Sequence, residues 1–156
     1  RMKRIKDRNL IPFEKMKLVS FSSENPSNNR KAIFAIDGRP DTVWHSNWSD
    51  GLRKHPHELV IDLGAIYSIS GFRYLARQDG GWNGSFAETE FYVSNSPEEF
   101  PSCAAKATFA KDRKAQSATC GKPVRGRYVK VRVLSEVNGE AWGSAADIGV
   151  IGKPTR

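Results

Sequence analysis

His45 and Trp48 stand three residues apart in the polar run VWHSNWSDG, residues 43–51. A neutral imidazole offers one hydrogen-bond donor and one acceptor, and an indole outside the core is a flat apolar platform of the kind a sugar ring stacks on. Trp44 follows Val43 and reads as core, whereas Trp48 sits among Asn47, Ser49 and Asp50. The plainer reading, in which Trp48 packs under its own loop and His45 is a satisfied structural histidine, stays open on these residues alone. A second group lies in YLARQDGGWNGS, residues 74–85. The Arg77 guanidinium can donate to two vicinal hydroxyls at once, and the Asn83 amide both donates and accepts. The alternative pairs Arg77 with Asp79 and leaves Asn83 and Gly84 as a simple turn. Trp142, in NGEAWGSAADIGV at residues 138–150, either walls a site or covers the core.

The run AIDGRPDTVW, residues 35–44, sets Asp37 before Gly38 and Thr42. Such a segment can wrap a hard cation in carboxylate, hydroxyl and carbonyl oxygens. An Asp-Gly turn capped by Thr42 explains the same residues without a metal. His55 and His57 flank Pro56 and could bind a transition metal only with His45 or a carboxylate as a third ligand. Gly-x-Ser-x-Gly, HExxH, P-loop and dinucleotide fingerprints are absent, which argues against an enzyme. Glu88 and Glu90 share one face of a presumed strand and read as a solvated β surface.

Short runs rich in β-branched and aromatic residues recur between turn-forming clusters, and helical periodicity is nearly absent. Strands are expected near residues 16–21, 58–63, 66–76, 88–94, 105–109, 127–134 and 145–151. In RYVKVRVL, Val129, Val131 and Val133 mark the buried side and Tyr128, Lys130 and Arg132 the wetter one, until Leu134 breaks the parity. This is an all-β pattern, and connections too long for tight hairpins point to a β-sandwich with its chemistry in loops at one end. The informative loops are residues 22–29, 37–57, 77–85 and 136–144.

The chain has 156 residues, the size of one domain. Its first residue, Arg1, reads as the start of a processed protein or of a domain from a longer one. Charged residues interrupt every apolar stretch before the ~18 residues of a membrane span. The net charge of +8 suggests nucleic acid, but the surplus is local. Residues 1–17 hold seven basic and two acidic side chains, residues 106–132 hold nine and one, and the remainder is acidic on balance. A solvated linker explains the first segment; the second could contact acidic or sulfated polysaccharide. No nucleic-acid partner is expected. Cys103 and Cys120 could close one loop as a disulfide or remain two free thiols.

In this order the segments AIDGRPDTVWHSNW, HELVIDLG, ISGFRYLARQDGGWNG, EFYVSNSPEEF and GRYVKVRVLSEVNGEAWGSAADIGVIG resemble the discoidin or coagulation factor 5/8 type C domains, and more closely the bacterial carbohydrate-binding modules of family 32. The resemblance runs from about residue 17 to 152. It implies an all-β, eight-stranded jelly-roll sandwich of the galactose-binding-domain type, with residues 1–16 as a basic N-terminal linker or tail and 153–156 as a C-terminal tail. It further implies a structural Ca2+ held by the carbonyls of Ala35, Pro40 and Ala146, the Asp37 carboxylate, Thr42, and an acidic side chain, here Asp147 in place of the usual Glu. Galactose-binding members use residues that match His45, Trp48, Arg77, Asn83 and Trp142. Trp82 lies in a turn one residue longer than in some members, where it adds a contact or narrows the pocket, and Glu24 is a lesser candidate. The implied protein is a monomeric, non-catalytic module outside the cytoplasm, extracellular, periplasmic or at the cell surface. It would carry an appended catalytic domain to galactose- or N-acetylgalactosamine-type glycans. The rival is a discoidin-like adhesion domain binding protein, lipid or acidic polysaccharide, with Trp82 and Trp142 as exposed apolar spikes.

Overall fold

The computed structural model describes residue 5 and residues 7–155. Residues 1–4 and 6, the outer part of the expected basic tail, and residue 156 at the other end lie outside the described residues. Among the described residues eight strands form: β1 (Lys17–Phe21), β2 (Trp44–His45), β3 (His57–Leu75), β4 (Glu88–Ser94), β5 (Cys103–Thr108), β6 (Gln116–Val133), β7 (Ser144–Ala145) and β8 (Asp147–Pro154). Two short 3-10 helices, Phe13–Lys15 and Ala32–Ile36, complete the regular structure.

The alternation in residues 128–133 does what its period demands. Val129, Val131 and Val133 are buried, and Tyr128, Lys130 and Arg132 are partly exposed. The runs expected as separate strands at 58–63 and 66–76 are one strand, β3. Gly64, at φ +81°, lets the chain turn a corner there, and the register against β6 shifts between Asp62 and Tyr67. Residues 116–126, outside the expected strands, are recruited into β6 by pairing with the second half of β3, and there Ala118 and Cys120 are buried between exposed neighbours.

The β3–β6 ribbon therefore folds over on itself. Its first half sits in the order β1-β3-β6-β4-β5, and its second half carries β8 on the free side of β3. Phe72, from the second half, stacks on Phe91 of β4 with ring centroids 4.5 Å apart, so the halves face each other across the core. Tyr74 stacks likewise on Phe86 at 4.2 Å. This is the expected sandwich of two β layers. The corner brings both ends of the ribbon, near His57 and near Leu75, to one end of the molecule, where the long loops lie.

The expected tail boundaries are displaced at both ends. Leu10, Ile11, Phe13 and Met16 are buried in the core, and the Ile11 N–H donates to the Val150 carbonyl at 2.8 Å. Apolar side chains at these positions outweigh the basic residues that made the segment read as a linker. At the C-terminus β8 continues through Lys153 and Pro154, paired with Ser68 and Tyr67. Cys103 and Cys120 are free thiols, the first exposed and the second buried.

Candidate functional site

Three loops are stapled at the loop end by backbone pairing. In the β2–β7 ribbon His45 lies opposite Ser144 and Trp44 opposite Ala145. Ser144 then reaches the 77–85 turn: its N–H donates to the Gly84 carbonyl at 2.7 Å and its hydroxyl to the Asn83 carbonyl at 2.6 Å. The Ser46 N–H donates to the Gly143 carbonyl, and the Gly143 N–H donates back to Ser46 Oγ. Gly84 has φ +88°, and a Cβ there would lie 2.7 Å from Gly143 C and Ser144 N. Only glycine permits this closeness. The loops bearing His45, Asn83 and Trp142 thus share one backbone junction.

His45 is 5% exposed and donates from Nδ1 to the Ser46 carbonyl at 2.8 Å. That bond fixes the tautomer, so the neutral ring presents Nε2 as an acceptor. Burial, with the charges of Arg77 and Arg30 assisting, holds its pKa below the ordinary value and keeps it neutral. The Trp142 ring lies 6.1 Å away, tilted by 53°.

Arg77 makes the pair with Asp79 that the plainer reading anticipated. Nε and Nη2 each donate to that carboxylate at 2.8 Å, and Nη1 donates to the Asn83 carbonyl at 3.0 Å. Three of the five guanidinium N–H groups are engaged in this way, and two are left over. Asp79, held also by Arg30 at 3.2 Å, has its pKa pulled down to about 2, chiefly by the Arg77 hydrogen bonds. The pairing orients Arg77 without exhausting it. Asn83 is exposed, and its carbonyl accepts from Arg77 and from Ser144.

Trp48 is 47% exposed, as its polar neighbours implied. Trp82 and Trp142 are half-buried rather than protruding, which corrects their reading as exposed spikes. The Arg113 guanidinium covers the Trp82 ring, its carbon 3.5 Å from the centroid. Glu24 commits one carboxylate oxygen to the Ala32 N–H at the start of the second 3-10 helix.

Two buried polar residues that the sequence did not single out build these loops. Asn25 Oδ1 accepts from the Trp48 N–H, the Ser49 N–H and the Ser49 hydroxyl, and Asn25 Nδ2 donates to Ser27 and Asn28. Glu136 Oε2 accepts from the Gly84 N–H at 2.7 Å, while Oε1 accepts from the Asn138 and Glu140 N–H groups. The available signal was weak: an Asn and a Glu, each inside a loop rich in turn formers. Beneath Trp142, buried His57 donates from Nε2 to the Ala141 carbonyl at 2.7 Å, and its ring lies 4.5 Å from that of His55. Burial first of all lowers the His57 pKa to about 4.

In the cation segment, the Thr42 hydroxyl donates to Asp37 Oδ2 at 2.7 Å, closing the capped turn. Buried Asp147, from β8, accepts the Gly38 N–H at 3.2 Å and so reaches the same turn from across the fold. Ala35 and Ala146 are fully buried there, and Pro40 is partly so. No group of three or more His, Cys, Asp or Glu side chains able to hold a metal is found among the described residues. A cation would rest on Asp37 and Asp147 plus hydroxyl and carbonyl oxygens, a hard-oxygen set that fits Ca2+.

Comparison with known proteins agrees with this fold. The profile of the F5/8 type C domain matches residues 19–148. The chain belongs to the F5/8 type C family, and its structural relatives include family 32 carbohydrate-binding modules. A sialidase from Micromonospora viridifaciens is 32% identical over 92% of this chain, and a galactose oxidase from Gibberella zeae is 36% identical over 74%. The chain spans only 22% and 17% of those two proteins. Among solved structures, CpGH89CBM32-5 from Clostridium perfringens, in complex with GalNAc-β-1,3-galactose, superposes with a TM-score of 0.81 at 28% identity, covering 91% of this chain and 99% of its own. The family 32 module of NanJ from the same organism, in complex with galactose, gives 0.77 at 26% identity, covering 91% and 97%. No helix among the described residues is long and apolar enough to cross a membrane.

Proposed function

We propose that this domain is a non-catalytic carbohydrate-binding module that carries an associated glycan-active enzyme, outside the cytoplasm, to galactose- or N-acetylgalactosamine-type glycans. The observation that carries the reading is the single junction that gathers the loops of His45, Asn83 and Trp142, with Arg77 bonded to the Asn83 carbonyl. His45 Nε2 accepts from a sugar hydroxyl, and the two remaining Arg77 N–H groups donate to its neighbour. The Asn83 amide adds a further contact, and Trp48 and Trp142 hold the ring's apolar face. An axial hydroxyl within reach of both His45 and Arg77 separates galactose from glucose. The neighbours solved with galactose and with GalNAc-β-1,3-galactose support this ligand class.

A few hydrogen bonds at net ~1 kcal/mol each, with one stacking face, give a dissociation constant of roughly 0.01–1 mM. Calorimetric titration of the chain with galactose, glucose and N-acetylgalactosamine tests the proposal. Arg77→Ala is expected to cost about 1.5–3 kcal/mol, more than tenfold. Galactose affinity equal to that for glucose, or unchanged in Arg77→Ala, overturns it. Binding to vesicles or protein that free sugar does not compete favours the adhesion alternative.

We further propose that Ca2+ occupies the turn of Asp37 and Thr42, joined by Asp147, and braces β8 against it. At a hundred times its dissociation constant, such an ion stabilises the fold by about 2.7 kcal/mol. Melting temperature is expected to fall on chelation in the wild type and to be insensitive to chelator in Asp37→Ala. A wild-type melting curve indifferent to both calcium and chelator removes the ion.

A further inference from the structure

Four of the nine cations of residues 106–132 are matched within the fold. Over the outer face of the layer containing β4, β5 and the first half of β3, they meet carboxylates across the strands. Lys106 lies 3.9 Å from Glu90, Arg127 2.8 Å from Asp62, and Lys130 and Arg132 lie 3.2 and 3.5 Å from Glu58. On that face three carboxylates hold four cations. At the loop end, Lys111 and Arg113 form no ion pair with a carboxylate among the described residues.

Their surroundings are those of a rim rather than of a solvated surface. The Arg113 guanidinium lies over the Trp82 ring, with Lys111 Nζ 5.4 Å from the centroid of the same ring. Arg113 Nη1 donates to the carbonyls of Arg77 and Gly81, which ties it to the turn bearing Arg77 and Asn83. Its Nε and Nη2 keep three N–H donors outside those bonds. Lys111 Nζ donates to Asn138 Oδ1 at 3.3 Å, in the loop that carries Trp142. The Arg77 guanidinium packs on the same turn, since a Cβ on Gly81 would lie 3.3 Å from its central carbon. A cation held immobile on an aromatic face loses less entropy on meeting an anion than a free side chain does.

We infer that Lys111 and Arg113, held on Trp82 beside the sugar site, form a subsite for an anionic substituent, a carboxylate or a sulfate ester, on the bound glycan. The inference rests on the proposed sugar site and extends it to a class of ligand: acidic glycans whose galactose-type unit keeps O3 and O4 free for His45 and Arg77.

The test is calorimetric titration of the chain with lactose, lactose sulfated at O6 of its galactose, and lactose bearing a sialic acid at the same oxygen. The two charged sugars separate sulfate from carboxylate. At low salt one or both are expected to bind roughly three- to tenfold more tightly than lactose. That ratio is expected to fall toward one in 0.5 M NaCl, in K111Q and in R113Q. Lactose binding without any gain from either anion overturns the subsite and leaves the sugar site standing. Binding of none of the three overturns both. Binding of the anionic sugars alone, lost in K111Q, keeps the subsite and overturns the galactose-type reading.

Discussion

Asn25 shows how much of the site depends on a residue that touches no proposed ligand. Buried to 1% exposure, it gathers the N–H groups of Trp48 and Ser49 and the Ser49 hydroxyl on one amide oxygen. An exposed indole on a floppy loop would have to be ordered on binding, at about 0.5–1.5 kcal/mol for such a side chain. Asn25 makes that ordering part of folding. Asn25→Ala leaves these donors without their acceptor in a partly buried place, so a loss of about 1–3 kcal/mol in stability is expected by urea denaturation. Sugar affinity should weaken beside it while the melting transition remains cooperative. Wild-type stability in this variant would show that water replaces the amide and that Trp48 is positioned otherwise.

The 136–144 loop is an element of a different kind, seated on a buried histidine rather than on apolar packing. His57 must be neutral beneath it, and its folded pKa of about 4 lies below the usual 6.5. The unfolded chain therefore binds more protons between these values. Stability is fully present above about pH 6.5 and is lost as pH falls toward 4, by up to about 3 kcal/mol. The groups facing His57 are His55, His45 and Arg53, whose charges oppose its protonation, and Glu136 faces His55 with the opposite effect. Melting temperature measured across pH 4–7 should fall on the acid side, and His57→Gln should flatten that fall. A wild-type profile flat from 6.5 to 4.5 would mean the ring protonates in place. Elements with a strict period, such as Val129, Val131 and Val133, could be read directly from sequence, because burial on one face imposes the alternation. Residues 116–126 could not, since their buried positions, Ala118 and Cys120, are too small to mark a period and the rest of the segment follows its pairing with β3. The same division holds in the site. The types of His45, Trp48, Arg77, Asn83 and Trp142 announce hydrogen bonding and stacking. That Arg77 divides its donors between Asp79 and Asn83 and keeps two outside those bonds is a three-dimensional fact with no local signal.

In the molecule as a whole, the net charge of +8 and the N-terminal segment both invite a reading that packing reverses. Four of the nine cations in residues 106–132 are matched to carboxylates across the strands, so total charge says little about partners. The basic residues before position 17 likewise conceal Leu10, Ile11, Phe13 and Met16, which close the sandwich beside β8. Burying each such side chain contributes roughly 1.5–3 kcal/mol, against a total domain stability of about 5–15 kcal/mol. The family match begins only at residue 19, so a boundary drawn from it would discard all four. The full chain is expected to melt in one cooperative transition. A chain beginning at residue 17 should be unfolded or molten by near-ultraviolet circular dichroism, even though every proposed sugar contact is retained. A cooperative transition at the full-length temperature in the shorter chain would return the segment to the status of a tail. It would also show that β8 needs no cover along Val150 and Ile151.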